Sequence, residues 1–396
     1  MSLEGIIPWG WAPDWGSGIR EWLEWLTDTL PAHGGEEQRR SLRLGPRQQF
    51  EFRVLAQGSD RAWLESVLWR HGNGRFAVPL WPDALTLEAA LPSGSTVVPV
   101  DPQGRQFAAG EPVALLGDSP RQIELAEVAS VAGGVVTLAG ATAQAWPAGT
   151  QVIPAPVARL DVPAALPRFT GQVASVRLRF EMDRPAAWPE EIGAAAYRGY
   201  PVLEEAIDWA EDPLVQLDRR STTIDAGTGP VLVDDPVGAP LPLFRARRTL
   251  LSRSEIAAWR SQLFALDGRR GAIWVPSWSE DLLPAATIAA GSTTLDVHWC
   301  GVAANLAGDP MRRDLRIELI DGTVLYRRVT AVSELSASVE RLTLDSALGV
   351  EVAPEGFALV SWLSLTRQES DVAEFAWWSG DVAQTTCSFR GFRHDV

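Results

Sequence analysis

The chain contains no lysine; its 35 basic side chains are all arginine, set against 50 acidic ones for a net charge of −15. That balance excludes nucleic acid as the principal ligand, because neutralising phosphates requires a basic footprint. Arginine without lysine suits buried or interfacial ion pairs, since the planar guanidinium grips a carboxylate with two parallel hydrogen bonds. Cysteine is almost absent. Cys300 and Cys387 lie far apart in sequence, which gives no disulfide framework and fits synthesis in a reducing cytoplasm. No apolar run approaches the roughly 18 residues of a transmembrane helix, so membrane insertion is not expected. The opening Met1-Ser2-Leu3-Glu4-Gly5 also lacks the basic and apolar regions of a signal peptide.

Catalytic motifs are equally scarce. The four histidines, His33, His71, His298 and His394, stand in no metal-spaced or triad-like setting, and the chain has no HxxxH, CxxC, Walker-type loop or GxSxG. His298 and Cys300 can share one face of a strand, but a structural cysteine near a satisfied histidine is the commoner arrangement. The carboxylate pairs Glu190-Glu191, Glu204-Glu205 and Asp234-Asp235 lie in polar connecting stretches, where a solvated or arginine-paired role is expected rather than glycoside hydrolysis. Asp83 and Asp281 follow Trp81 and Trp278 at similar distances, and a residue present twice serves a turn or cap more readily than a single active site. No catalytic residue, cofactor or metal site is assigned.

What the chain has in abundance is tryptophan, 18 residues in 396. An excess of tryptophan with arginine is the composition of protein interfaces, although tryptophan also fills cores. The length accommodates two to three domains, each with its own core. Two stretches, about 39–182 and 247–396, read as one unit written twice. Ala62-Trp63 through Val78-Pro79-Leu80-Trp81 answers Ala258-Trp259 through Val275-Pro276-Ser277-Trp278, and Gly94-Ser95-Thr96-Val97-Val98 answers Gly291-Ser292-Thr293-Thr294-Leu295. Val128-Ala129-Ser130-Val131 then pairs with Val329-Thr330-Ala331-Val332, and Ser175–Phe180 with Thr386–Arg390. Two copies make a duplicated domain, not a solenoid.

Each copy reads as a β-leaning stretch (Gln49–Val54, Phe244–Leu250), a helix, and a short buried strand ending in proline. The second helix is expected to begin at a Ser254 cap, to present Ile256, Trp259, Leu263 and Leu266 on one face, and to stop at Asp267-Gly268. The first has Ser59 or Asp60 as cap and a Gly72-Asn73-Gly74 stop. Short strands at 8–12-residue spacing follow, with Asp321-Gly322 as a hairpin turn, and this predicts a small inserted barrel in each copy. The fold class expected is mainly β (β-rich α+β): two β-sandwich domains, each with one short helix and an inserted small β-barrel. Residues 1–38 form an aromatic N-terminal arm, which either covers the first core or reaches a neighbouring subunit; Ile19–Leu26 within it fits a helix or a strand. Residues 183–246 connect the copies and read as a counterpart of that arm. Trp9, Trp11, Trp15, Trp22, Trp25, Trp209, Trp377 and Trp378 are the interface candidates.

The segment Phe264–Leu282, FALDGRRGAIWVPSWSEDL, resembles the helix–DGR–G–W/F–P signature of minor tail proteins of long-tailed bacteriophages, and the ending Cys387–Arg393 is similar in character to theirs. The resemblance covers the second copy best. It implies a tail-tube-like fold, as in distal tail proteins and baseplate hubs, and a virion structural component at the tail tip, assembled in the bacterial host cytoplasm. Implied partners are copies of itself in a trimeric or hexameric ring, the tail tube protein, the tape measure protein, and a baseplate hub or central fibre, with DNA passing through an acidic channel unbound. The alternative is a carbohydrate-binding or glycan-degrading module of the same tail tip.

Overall fold

The computed structural model describes residues 3–161, 165–193, 195–209 and 211–394; Met1 and Ser2 of the opening and Ala210 of the acidic run lie outside them. The fold is mainly β, with three α-helices among the described residues. The N-terminal segment supplies β1 (Ile6–Pro8), β2 (Ile19–Glu24) and a hairpin, β3 (Thr27–Pro31) with β4 (Glu37–Ser41). The first unit runs through β5 (Arg47–Gln57), α1 (Gly58–His71) and β6 (Arg75–Ala77). An insert follows: β7 (Leu85–Thr86), β8 (Val97–Val98), β9 (Pro112–Leu116), β10 (Ile123–Ala132), β11 (Val135–Leu138) and β12 (Gln151–Pro154). The unit closes with β13 (Val157–Leu160) and β14 (Val173–Met182).

The connecting segment holds β15 (Ala196–Tyr197), β16 (Tyr200–Pro201), β17 (Leu214–Asp218) and a hairpin of β18 (Thr222–Ile224) with β19 (Leu232–Asp234). The second unit runs β20 (Leu241–Leu250), α2 (Arg253–Leu266), β21 (Ala272–Pro276), then β22 (Thr294–His298), α3 (Val302–Asn305), β23 (Asp314–Leu319), β24 (Val324–Ser336) and β25 (Val339–Leu344). It closes with β26 (Phe357–Gln368), β27 (Val372–Trp377) and β28 (Ala383–Gly391).

Strand pairing in the two units takes the same path. In the first, β6, β13, β14 and β5 lie side by side, with β1 parallel to β6 at one end and β2 antiparallel to β5 at the other. In the second, β21, β26, β28 and β20 lie side by side, with Val202 in a parallel bridge to Trp274 and β17 antiparallel to β20. The inserts run β12-β9-β10-β11-β8 and β26-β23-β24-β25-β22. Both carry a bulge at the same place: pairing slips by one residue between Val128 and Ser130 against β11, and between Val329 and Ala331 against β25. A bulge is a built feature that bends one strand, and it fixes the register on either side.

Period-two patterning explains the strands. On β14 Val176, Leu178, Phe180 and Met182 are buried while Arg177 and Arg179 point away, so one face meets the core. Ile19–Glu24, open between helix and strand in the sequence, is a strand with Ile19, Glu21 and Leu23 inward. The predicted caps shift. Ser252, not Ser254, caps α2 by accepting from the Glu255 N–H at 3.2 Å, and α1 starts after Gln57 with no side-chain cap, so neither Ser59 nor Asp60 does that work. The Asp267-Gly268 stop stands as expected: Asp267 and Gly268 take φ of 50° and 61°. A Cβ on Gly268 would meet Trp25 at 2.7 Å, so glycine also permits the close approach of the N-terminal segment.

One expectation needs correction. The units are not separate sandwiches; a 16-stranded sheet runs through both, because β2 pairs with β5 on one side and β27 on the other. The inserts do curl closed: residues 85–98 run from β12 to β11, hydrogen-bonded on the way at Leu87–Thr150, Leu91–Trp146 and Gly94–Thr142, around a core of their own. Residues 282–298 run likewise from β26 to β25 by way of Leu282–Val360 and Ile288–Val352, and β26 carries this second insert straight into the main sheet. In the first unit that same path is broken between β12 and β13 at Ala155-Pro156, where proline withholds a ladder donor.

Candidate assembly interface

The N-terminal segment is woven into the core. Trp9 packs on Phe76 and Phe180 at ring separations of 5.8 and 5.0 Å, and Trp25 meets Phe264 of α2 at 5.6 Å. Trp9, Trp11, Trp25 and Trp377 are therefore core side chains rather than subunit contacts, because apolar neighbours within this chain already cover them. Trp22 is half-buried under the Arg179 guanidinium, 4.6 Å from its ring. Trp15, Trp209 and Trp378 are exposed, the last two at 64% and 61%.

At the seam between the units sits a buried polar cluster. The Glu21 carboxylate on β2 accepts from Arg260 of α2 at 2.6 Å, from Gln48 of β5 at 2.7 Å and from the Trp377 indole of β27 at 2.9 Å. Gln48 and Gln106 exchange side-chain hydrogen bonds at 2.8 Å, which ties in the first insert. The Arg260 guanidinium also lies 4.9 Å from the Trp188 ring and 5.4 Å from the Phe375 ring. Beside it, Asp83 accepts from the Gln106 N–H at 2.8 Å and from Arg253, whose charge-paired guanidinium also donates to the Pro82 and Gly380 carbonyls. Burying such groups is costly unless each is paired, and here the pairs span β2, β5, α2, β27 and an insert, so only one docking of the units satisfies them.

The β3–β4 hairpin extends the seam over the second unit. The Asp371 carboxylate accepts from Thr27 N–H at 2.8 Å, from its hydroxyl at 2.7 Å and from Arg269 N–H at 2.9 Å. Arg39 donates to the Arg269 carbonyl at 2.6 Å, just past the end of α2. Glu37 accepts from Arg220 at 2.6 Å and from Arg39, and Arg367 stands 3.6 Å away. Burial pushes the Glu37 carboxyl up, but the Arg39 and Arg220 hydrogen bonds together hold it below the ordinary glutamate range.

At the far end of the second unit the matching elements are bare. β17 pairs with β20 along one edge, and among the described residues no strand pairs with its other edge. Leu214, Val215 and Leu217 are exposed, Leu217 at 58%. Every residue of β18 and β19 is exposed, including Ile224 and Val233, with Leu232 at 61%. On the first unit α1 buries only Leu64 and leaves Trp69 94% exposed. None of these residues was singled out by sequence. The signal for β17 was the three apolar residues in Leu214–Leu217 of a stretch read as a connector.

The remaining candidates are accounted for structurally. Asp281 accepts from Ser277 and from the Trp362 N–H at 2.8 Å, a turn role like that of Asp83. Asp235 pairs with Arg219 at 2.7 Å, Glu205 stands 3.9 Å from Arg248, and Glu190 and Glu191 are exposed. The buried Glu340 carboxylate accepts from the N–H groups of Cys300, Val302 and Ala303 at 2.9–3.1 Å, and Cys300 Sγ donates to it at 3.5 Å. Burial, then that hydrogen bond, push the Cys300 thiol up, the reverse of an activated thiolate. A cleft of about 380 Å³ between the first insert and β14 holds Asp183, which is taken by Arg75 at 2.6 Å and Arg159 at 3.1 Å. Among the described residues no group of three or more His, Cys, Asp or Glu is placed to hold a metal ion, and no helix is long and apolar enough to cross a membrane. No protein-family model matches the chain, and no curated protein matches it in sequence.

Proposed function

We propose that this chain is a structural protein of the tail tip of a long-tailed bacteriophage: a tail-tube-like module, duplicated, whose copies line up side by side in a ring between the tail tube and the hub or central fibre. The observation that carries the duplication is the coincidence of path and irregularity. Two runs about 200 residues apart in sequence follow one strand order, insert a small sheet at the same point, and bulge at Ala129 and Thr330, positions the sequence alignment already sets opposite each other. The resemblance of Phe264–Leu282 to minor tail proteins supplies the biological setting. The building-block role is supported by where the tightest polar chemistry lies: the arginine–carboxylate pairs lock strands and units together, and the Asp183 carboxylate in the cleft is fully engaged by arginines.

An assembled ring of this composition has an acidic channel, which lets DNA pass without retention. The test is the mass of the purified full chain in solution together with images of the particle. A closed ring of several chains, with twice as many units as chains, is expected. A single chain at all accessible concentrations, or a strongly basic channel, overturns the proposal. Turnover of peptidoglycan or surface polysaccharide that is lost on substituting one carboxylate would replace it with the enzyme reading.

A further inference from the structure

The chain contains one worked example of how two of its units join, and it also holds the unused half of a second such joint. Within the chain, β2 fills the gap between β5 and β27, and the β3–β4 hairpin that follows it lies across the end of α2, touching Asp267, Arg269 and Asp371. At the other end, β17 lines β20 as β2 lines β5, and the β18–β19 hairpin follows it as β3–β4 follows β2. Here, among the described residues, no strand pairs with the outer edge of β17, and every residue of β18 and β19 is exposed. The first unit shows the complementary edge: Arg168 bridges Ala174 as Trp377 pairs with Ala383, and Phe169 and Thr170 then turn into β14 by donating to the Val173 carbonyl, as Trp378 and Ser379 do to Val382. Among the described residues no strand pairs with the outer side of 165–168, the side that β2 fills on β27. The exposed Trp69 sits at the end of α1, the place that β3–β4 occupies on α2.

We propose that the occupant of this surface is a second copy of the same chain. β17 of one copy adds to the 165–168 edge of the next, and its β18–β19 hairpin lies across the C-terminal turn of α1 over Trp69 and His71. The two hairpins already lean together inside one chain, with His33 of the first 3.6 Å from Asp234 of the second, so a repeat of the joint sets all hairpins in a row on one face of the ring. The contact is heterologous, one patch meeting a different one, and such contacts close into rings when the rotation permits. The matching faces are apolar: Leu214, Leu217, Ile224 and Leu232 on one, Phe169 and Trp69 on the other. This joint rests on the ring reading above and names which surface makes the ring.

The experiment compares full-length wild type with two variants, one in which residues 222–234 are replaced by a short Gly-Ser turn and one carrying Leu217→Asp, by native mass measurement. Wild type is expected as the ring, and both variants as folded single chains with wild-type circular dichroism and a cooperative melt. Variants that keep the wild-type mass overturn this joint while leaving the ring intact; a single-chain wild type overturns both. Should a variant fail to fold, hydrogen exchange of wild type on dilution reads the same contact. Peptides covering 214–234 and 68–73 should lose protection together as the ring dissociates, and loss confined to other segments overturns the joint. Trp378→Ala, an exposed tryptophan away from the joint, should leave the mass unchanged.

Discussion

The helices α1 and α2 follow equivalent long strands and run for 14 residues each, yet α2 buries eight side chains and α1 one. The difference does not come from the helices' own units. α2 lies in the seam, where β2, Trp25, Trp188 and the Glu21 cluster cover its second face; α1 lies at the outer end, where no element among the described residues covers the corresponding face. The edges repeat the contrast, with β2 paired on both sides and β17 on one. Burial at these positions therefore reports the presence of a neighbour, not the helix or strand's own sequence.

The comparison breaks hardest at Glu21. Glu21→Ala leaves Arg260 buried without its carboxylate, an unpaired charge that costs on the order of 3–5 kcal/mol, and chemical denaturation should show a correspondingly earlier transition. An unchanged midpoint would mean that the seam does not depend on the cluster. Next come the two edge leucines. Leu23→Ala on β2 empties a buried site and should cost about 2–5 kcal/mol. Leu217→Ala on β17 removes an exposed side chain, so the same denaturation measured on single chains should move by less than about 0.5 kcal/mol. Equal losses at both positions would show that β17 is already covered within the chain.

The helix starts give a smaller contrast. Ser252→Ala deletes the cap of α2 and should cost about 1 kcal/mol, whereas Ser59→Ala in the uncapped α1 should leave the melting temperature in place. The smallest effect concerns the docked hairpin. Because the folded Glu37 carboxyl is held below its unfolded value, its contribution is present above the ordinary glutamate range and is lost as pH falls through the folded value. Protection of residues 27–41 against hydrogen exchange, taken relative to the intrinsic rate at each pH, should fall on acidification in the wild type and lose that pH dependence in Glu37→Gln. An identical profile in both would place the hairpin's hold elsewhere.

Strands and turns with a strong local signal were legible in the sequence. Val173–Phe180 and Phe357–Leu365 fall within β14 and β26, and Asp321-Gly322 forms the expected turn, with Gly322 at a φ of 85° and Asp321 accepting from the Thr323 N–H at 2.9 Å. The α2 face of Ile256, Trp259, Leu263 and Leu266 is buried as its spacing predicts. What misled was the tryptophan count. An indole suits a core and a protein contact equally, so composition did not separate buried Trp9 and Trp25 from exposed Trp69 and Trp209. Of the two readings of the N-terminal segment, the one in which it covers the first core holds: Pro8, Gly10 and Pro13 break any long element, but a six-residue strand after them is enough to fill a gap between two sheets.

Local order alone settled the mainly β content, the period-two strands and the helix stops, since each depends on neighbours a few positions apart. Which edge is filled and which is free was decided only in three dimensions. Glu21, Gln48, Gln106, Arg260 and Trp377 are spread across 357 positions of chain, and no spacing rule brings them together; the need to pair every buried charge does.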